Sequence, residues 1–177
     1  MRRPFLFLSL PLFFMACQQQ ASTEKVSAAI HYFDLKGYIA KEADRLNASH
    51  PLLAKTVMVN KSEESKKLKI ADWHKELSAF TDADINKSAW QGLFLVTRIS
   101  NEDKYTSDNE KVPVKYLVIK HLNGKVKSIQ ILIGNSNILY TSKDTLSYYP
   151  DSLYQIKKTQ HIKLLNEKNY RITGRFQ

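Results

Sequence analysis

The stretch VPVKYLVIKHLNGKVKSIQILI, Val112 to Ile133, decides the fold. Two apolar, β-branched runs, Val112 to His121 and Lys125 to Ile133, flank Asn123-Gly124. That dipeptide accepts positive φ at both positions and is the strongest short signal for a two-residue β-hairpin. Within the second run, Ile129 to Ile133 (IQILI) is close to continuously apolar, which predicts a central strand covered on both faces.

Downstream, strand-like runs alternate with short turns. Gly134 to Asn137 turns into Ile138 to Ser142, and Leu146 to Tyr149 stops at Pro150-Asp151. Leu153 to Thr159 and His161 to Leu165 follow, and Asn166 to Asn169 turns into a last strand, Tyr170 to Phe176. Such a succession makes an antiparallel meander. Upstream, Gly92 to Ile99 reads as a further strand, and Asn101 to Lys111 as a long polar loop with both charge signs.

Before Gly92 the apolar period changes. Leu35, Ile39, Ala43 and Leu46 recur at helical steps, with Tyr38 and Glu42 on flanking positions. Asp34 is placed to cap this helix, which should stop near Asn47 ahead of Pro51. Gly37 weakens the first turn by about 1 kcal/mol relative to alanine, so it marks close packing or is merely tolerated. Lys55 to Asn60, a turn over Lys61 to Lys66, and Leu68 with Ile70 predict a hairpin. Asp72 then caps a short helix reaching Phe80, with Trp73, Leu77 and Phe80 on one face; Asp82 to Asn86 extends it as a broken turn with Ile85 inward. The expected fold is α+β: an N-terminal helix and a short second helix packed on a curved antiparallel sheet, a meander of about six to eight strands, forming a single domain over 31–177.

The chain opens MRRPFLFLSLPLFFMAC: a short positive region at Arg2 and Arg3, then an apolar run from Phe5 to Met15. That run is far below the ~20 residues that span a bilayer and reads as a signal peptide. Its end, Ala16 followed by Cys17, the only cysteine, resembles the lipobox of bacterial lipoproteins. The resemblance implies cleavage after residue 16 and acylation of Cys17, with two or more chains giving stable anchoring. Phe14 and Met15 depart from the commonest lipobox and match relaxed forms frequent in Bacteroidota-type lipoproteins. Residues 17–30, polar and small, read as the acylated tether. Gln18 to Gln20 carry neither an inner-membrane retention aspartate nor an acidic surface-display cluster, so the implied location is the outer membrane, facing the periplasm. The helix, the segment Asp72 to Lys87 and the segment Tyr148 to Tyr154 also look similar to small uncharacterised lipoproteins of Bacteroidota, a resemblance that brings no activity with it.

Formal charge is +10 over the whole chain, with 27 Lys+Arg against 17 acids. Without Arg2 and Arg3 the cations fall from 27 to 25 against 17 acids, leaving +8. In an exported protein this excess faces lipid headgroups and glycans rather than nucleic acid, and lysines spread through the chain read as a solvated face. With Cys17 acylated, no thiol remains for disulfides or metal.

Chemistry-bearing motifs are sparse. His31, His50, His74, His121 and His161 fall on separate elements without a second ligand at metal spacing, and Asp72, His74 and Glu76 diverge on a helix. No nucleophile elbow or phosphate-cradling glycine loop occurs among five glycines. No catalytic, metal or cofactor residue is assigned. Tyr140, Tyr148, Tyr149, Tyr154, Tyr170 and Phe176 form either core or pocket lining, with Lys143, Lys157, Lys158 and Lys163 around the mouth. The expected binding patch is Tyr148, Tyr149 and Tyr154 with Tyr140 and Lys143; adjacent Tyr148 and Tyr149 cannot face the same core. The leading expectation is a non-enzymatic, membrane-anchored envelope lipoprotein that binds a hydrophobic small molecule or an envelope protein. The alternative is an envelope hydrolase with a dispersed active site, which needs a histidine in reach of Ser, Asp or Glu in a cleft.

Overall fold

The computed structural model describes residues 31–177; the signal segment, Cys17 and the tether lie outside the described residues. The first helix, α1 (Leu35–Ser49), forms as its stripe requires, burying Leu35, Ile39, Ala43 and Leu46. The Asp34 carboxylate accepts the Gly37 amide at 2.8 Å. A Cβ at Gly37 would run into that carboxylate, so a larger residue there would have to displace the cap. His50 ends the helix in the left-handed region and donates its amide to the Leu46 carbonyl at 3.0 Å, one residue before Pro51.

The chain then lays down β1 (Leu52–Val59) and β2 (Ser62–Lys69), joined at Asn60 and Lys61. Residues 61–66 were expected as a turn, but Ser62 to Lys66 pair in full with Val59 to Lys55. The strand is polar on both faces because it is a sheet edge, where lysine and glutamate discourage further pairing. Asp72 caps α2 (Trp73–Glu76) through the Lys75 amide at 3.2 Å. The single helix expected from Asp72 to Phe80 is broken at Leu77, and α3 (Ser78–Asp82) follows. Trp73, Leu77, Phe80 and Ile85 are nevertheless fully buried, as the spacing predicted.

After a short 3-10 turn come β3 (Leu95–Ile99), β4 (Glu102–Thr106), β5 (Val114–Leu122), β6 (Lys125–Ser136), β7 (Tyr140–Tyr149), β8 (Leu153–Ile162) and β9 (Lys168–Phe176). The polar stretch expected as a loop contains β4, which enters the sheet through Tyr105, 2% exposed and paired with Leu117. Asn123 and Gly124, at φ 52° and 74°, make the expected tight turn. The runs either side of Lys143 merge into β7, and those either side of Gln160 into β8, because polar residues there are tolerated on a partly open face.

All pairings are antiparallel, and the order is β2-β1-β9-β8-β7-β6-β5-β4-β3. The sheet therefore has nine strands, not six to eight, and it is open. Strands β3 to β9 form the meander, and the β1–β2 hairpin closes onto the last strand. The helices pack on one face. Ile129 and Ile131 are fully buried beneath them, whereas Gln130 and Leu132 on the opposite face are half-exposed, so the expected cover of IQILI on both faces is not found.

Candidate functional site

Under the helices the sheet face is filled with aromatics. Tyr148 on β7 and Tyr154 on β8 are cross-strand partners and fully buried. Phe80 meets Tyr148 edge-on at 5.9 Å, and Trp73 stacks on Phe176 at 5.6 Å while presenting its edge to Tyr154. Each tyrosine reaches a helix through its hydroxyl. Tyr148 donates to Glu42 on α1 at 2.7 Å, and Tyr154 donates to Glu76 on α2. Each glutamate in turn holds a cation: Arg45 lies 2.9 Å from Glu42, and Lys55 lies 2.6 Å from Glu76. Burial pushes both phenol pKa values up, and the neighbouring carboxylate adds to it. Burial alone would raise Glu42, but hydrogen bonds from Arg45 and Tyr148 outweigh it and hold the carboxyl below its ordinary range.

These contacts split the expected patch. Tyr148 and Tyr154 are core. Tyr149 faces the other side of the sheet, where its hydroxyl accepts from Gln130 at 3.2 Å. Tyr140 and Lys143 sit at the far end of β7, beside a cleft of about 780 Å³ that also contains Lys115, Asn135 and Ser142. The five residues do not form one site.

A second concavity was not foreseen from the sequence. It runs between α1, the β5–β6 turn and the β7–β8 turn, encloses about 530 Å³, and is lined by Phe33, Tyr38, Glu42, Arg45, Lys125 and Asp151, among others. Phe33 and Tyr38 pack at 5.8 Å as an aromatic wall. Arg45 bridges Glu42 and Asp151, the latter at 2.8 Å. Burial, then the charge of Glu42, pushes Tyr38 up to about 12. The flanking position of Tyr38 and Glu42 beside the apolar stripe of α1 was the one sequence signal for this groove.

Of the histidines, His121 lines the groove and lies 3.3 Å from Asp103, while His74 pairs with Asp44 at 2.8 Å on the surface. Among the described residues no serine, threonine or cysteine lines the groove, and no cluster of His, Cys, Asp and Glu could hold a metal.

Protein-family models, curated proteins and solved structures yield no match to this chain. The site's own geometry therefore carries the functional reading. Among the described residues no helix is long and apolar enough to cross a membrane.

Proposed function

We propose that this protein is a non-enzymatic envelope lipoprotein, anchored at the outer membrane through an acylated Cys17, that binds a segment of a protein partner in the groove beside α1. The observation that carries this reading is the filled space beneath the helices. Trp73, Phe80, Tyr148 and Tyr154 are all fully buried there and occupy the space between helices and sheet, which speaks against a hydrophobic small molecule lodging in it. The open groove instead combines an aromatic wall with Arg45, Lys125 and Asp151, the mixture of stacking and charge that suits a peptide better than an acyl chain.

Photo-crosslinking in cells tests it. A photoreactive residue replacing Tyr38 should yield discrete adducts with a partner, diminished by Lys125→Glu, while one replacing Lys66 on the β2 edge should not. Equal adducts at both positions, or stoichiometric lipid retained by protein purified without detergent, would overturn the reading. For the anchor, Cys17→Ser should release the protein from the membrane fraction; retention at wild-type levels would refute acylation.

The hydrolase alternative keeps one supporting contact, His121 with Asp103, at a groove where, among the described residues, the phenol of Tyr38 is the one lining hydroxyl.

A further inference from the structure

We infer that the end of the sheet away from the helices is a membrane-inserting tip for bilayers with anionic headgroups. Antiparallel order places the β6–β7 turn and the β8–β9 turn at the same end, opposite the β7–β8 turn that meets Arg45. The two turns are tied to each other, the Lys163 amide donating to the Leu139 carbonyl at 2.9 Å. Asn137 stiffens the first turn by accepting from the amides of Leu139 and Tyr140 at 3.0 and 2.9 Å.

This braced tip presents four large apolar side chains to water. Ile138 is 90% exposed, Leu139 64%, Leu164 96% and Leu165 58%. This run of paired aliphatics at the summit of two turns stands outside the buried core and outside the partly buried hydrophobics packed against it. Leu164 is the most informative. Most positive-φ positions among the described residues hold Gly, Asn, Asp or Ser, whereas Leu164 sits at φ 70°. A branched apolar residue is held in a strained backbone conformation while pointing into solvent, which argues for use of the side chain rather than for turn geometry.

What covers such a tip follows from its charge and size. The two turns and their flanks expose Lys143, Lys163 and Lys168 against the one acid Glu167, with Lys61 and Glu63 beside them, while the β4–β5 loop at the same end adds Lys111, Asp108 and Glu110 further along the sheet. Aliphatic side chains with lysines behind them suit the boundary between acyl chains and anionic headgroups, where each lysine adds attraction and its stem can snorkel. Four projecting side chains fall well short of the roughly 20–30 residues a side of a stable protein interface, which disfavours a second copy. The insertion does not depend on acylation of Cys17; it would give the domain a second foothold.

The full chain carrying Cys17→Ser, so that no native thiol remains, is labelled with an environment-sensitive dye at Ile138→Cys and, as a control, at Ser88→Cys near the helices. Phosphatidylglycerol-containing vesicles should shift emission at position 138 to the blue and leave position 88 unchanged; phosphatidylcholine vesicles should act only at about tenfold or more higher lipid. A label at Leu165→Cys should report the same. Lys143→Gln, Lys163→Gln and Lys168→Gln together should raise the lipid needed by about tenfold or more, as should added salt. Leu164→Asn should weaken the response while leaving the thermal midpoint unchanged or higher, which separates membrane use from a structural role. No shift at 138 would overturn the proposal. So would equal shifts at 138 and 88, or a shift at 138 that grows with protein concentration in the absence of vesicles.

Discussion

Tyr148 and Tyr154 stand opposite one another on β7 and β8, yet their hydroxyls part to reach two different helices, Glu42 of α1 and Glu76 of α2. Two adjacent strands thereby hold α1 and α2 to the sheet, through phenols whose rings stay packed in the core. Each carboxylate is only slightly exposed, 14% for Glu42 and 16% for Glu76, so neither contact is readily replaced by water.

Tyr148→Phe and Tyr154→Phe should therefore each destabilise the fold by about 1.5–3 kcal/mol, the range for a hydrogen bond to a charged group. Because the two phenols hold separate helices but share a wall, the double variant should depart from additivity by ~0.5 kcal/mol or more. Urea unfolding reads both; a midpoint unchanged for either single variant would show that the hydroxyl contributes nothing.

Stability should fall at both pH extremes. Glu42 is held below its ordinary range, so its contribution is present above the unfolded carboxyl pKa and disappears as pH drops through the folded value. Tyr38, at about 12, and Tyr148 and Tyr154, also raised, keep their protons longer when folded. Their contribution is whole below the unfolded phenol pKa of about 10 and is lost as pH climbs past it. Thermal midpoints measured across pH should show Tyr148→Phe flattening the alkaline limb and Glu42→Gln the acid one.

Two strand glycines should respond in opposite ways. A Cβ on Gly174 would collide with the fully buried ring of Tyr154, so Gly174→Ala should destabilise by about 1–3 kcal/mol through overpacking. On Gly134 it would meet only Lys115 at ordinary contact distance, 3.6 Å, and Gly134→Ala should be neutral or stabilise by up to about 1 kcal/mol. Denaturant midpoints that move together would contradict the distinction.

The two sheet edges are unequally protected. β2 is laden with Lys and Glu, but β3 exposes Leu95 at 71% and Ile99 at 67%. Ile99→Lys should slow aggregation of warmed protein, followed by light scattering, while changing stability by no more than about 0.5 kcal/mol.

Where short-range chemistry decides the structure, the sequence was legible. Asn123-Gly124, the capping roles of Asp34 and Asp72, and the buried stripe of α1 all depend on residues within a few positions of one another. β2 is hidden because an edge strand need not alternate, Ser62 to Lys69 containing a single apolar residue, Leu68; β4 is hidden because, although it lies inside the sheet, it enters the core through Tyr105 alone. The tyrosine series reads as core or pocket lining because sequence proximity does not say which strand face meets a helix; Tyr148 and Tyr154 are core, and Tyr149 lies on the other face. Glu42 and Glu76 lie 106 and 78 residues from the phenols they accept, a separation no local pattern reports. The groove was hidden for the same reason, its walls coming from a helix and two turns distant in sequence.

The hairpin of β1 and β2 joins the sheet only through β9, with Leu53 beside Phe176. The first strands of the domain therefore have no permanent neighbour beyond each other until the end of the chain has arrived. That long closure makes for slow folding. A chain cut short before Lys168 would forfeit three strands rather than one, and with Phe176 the surface on which Trp73 stacks.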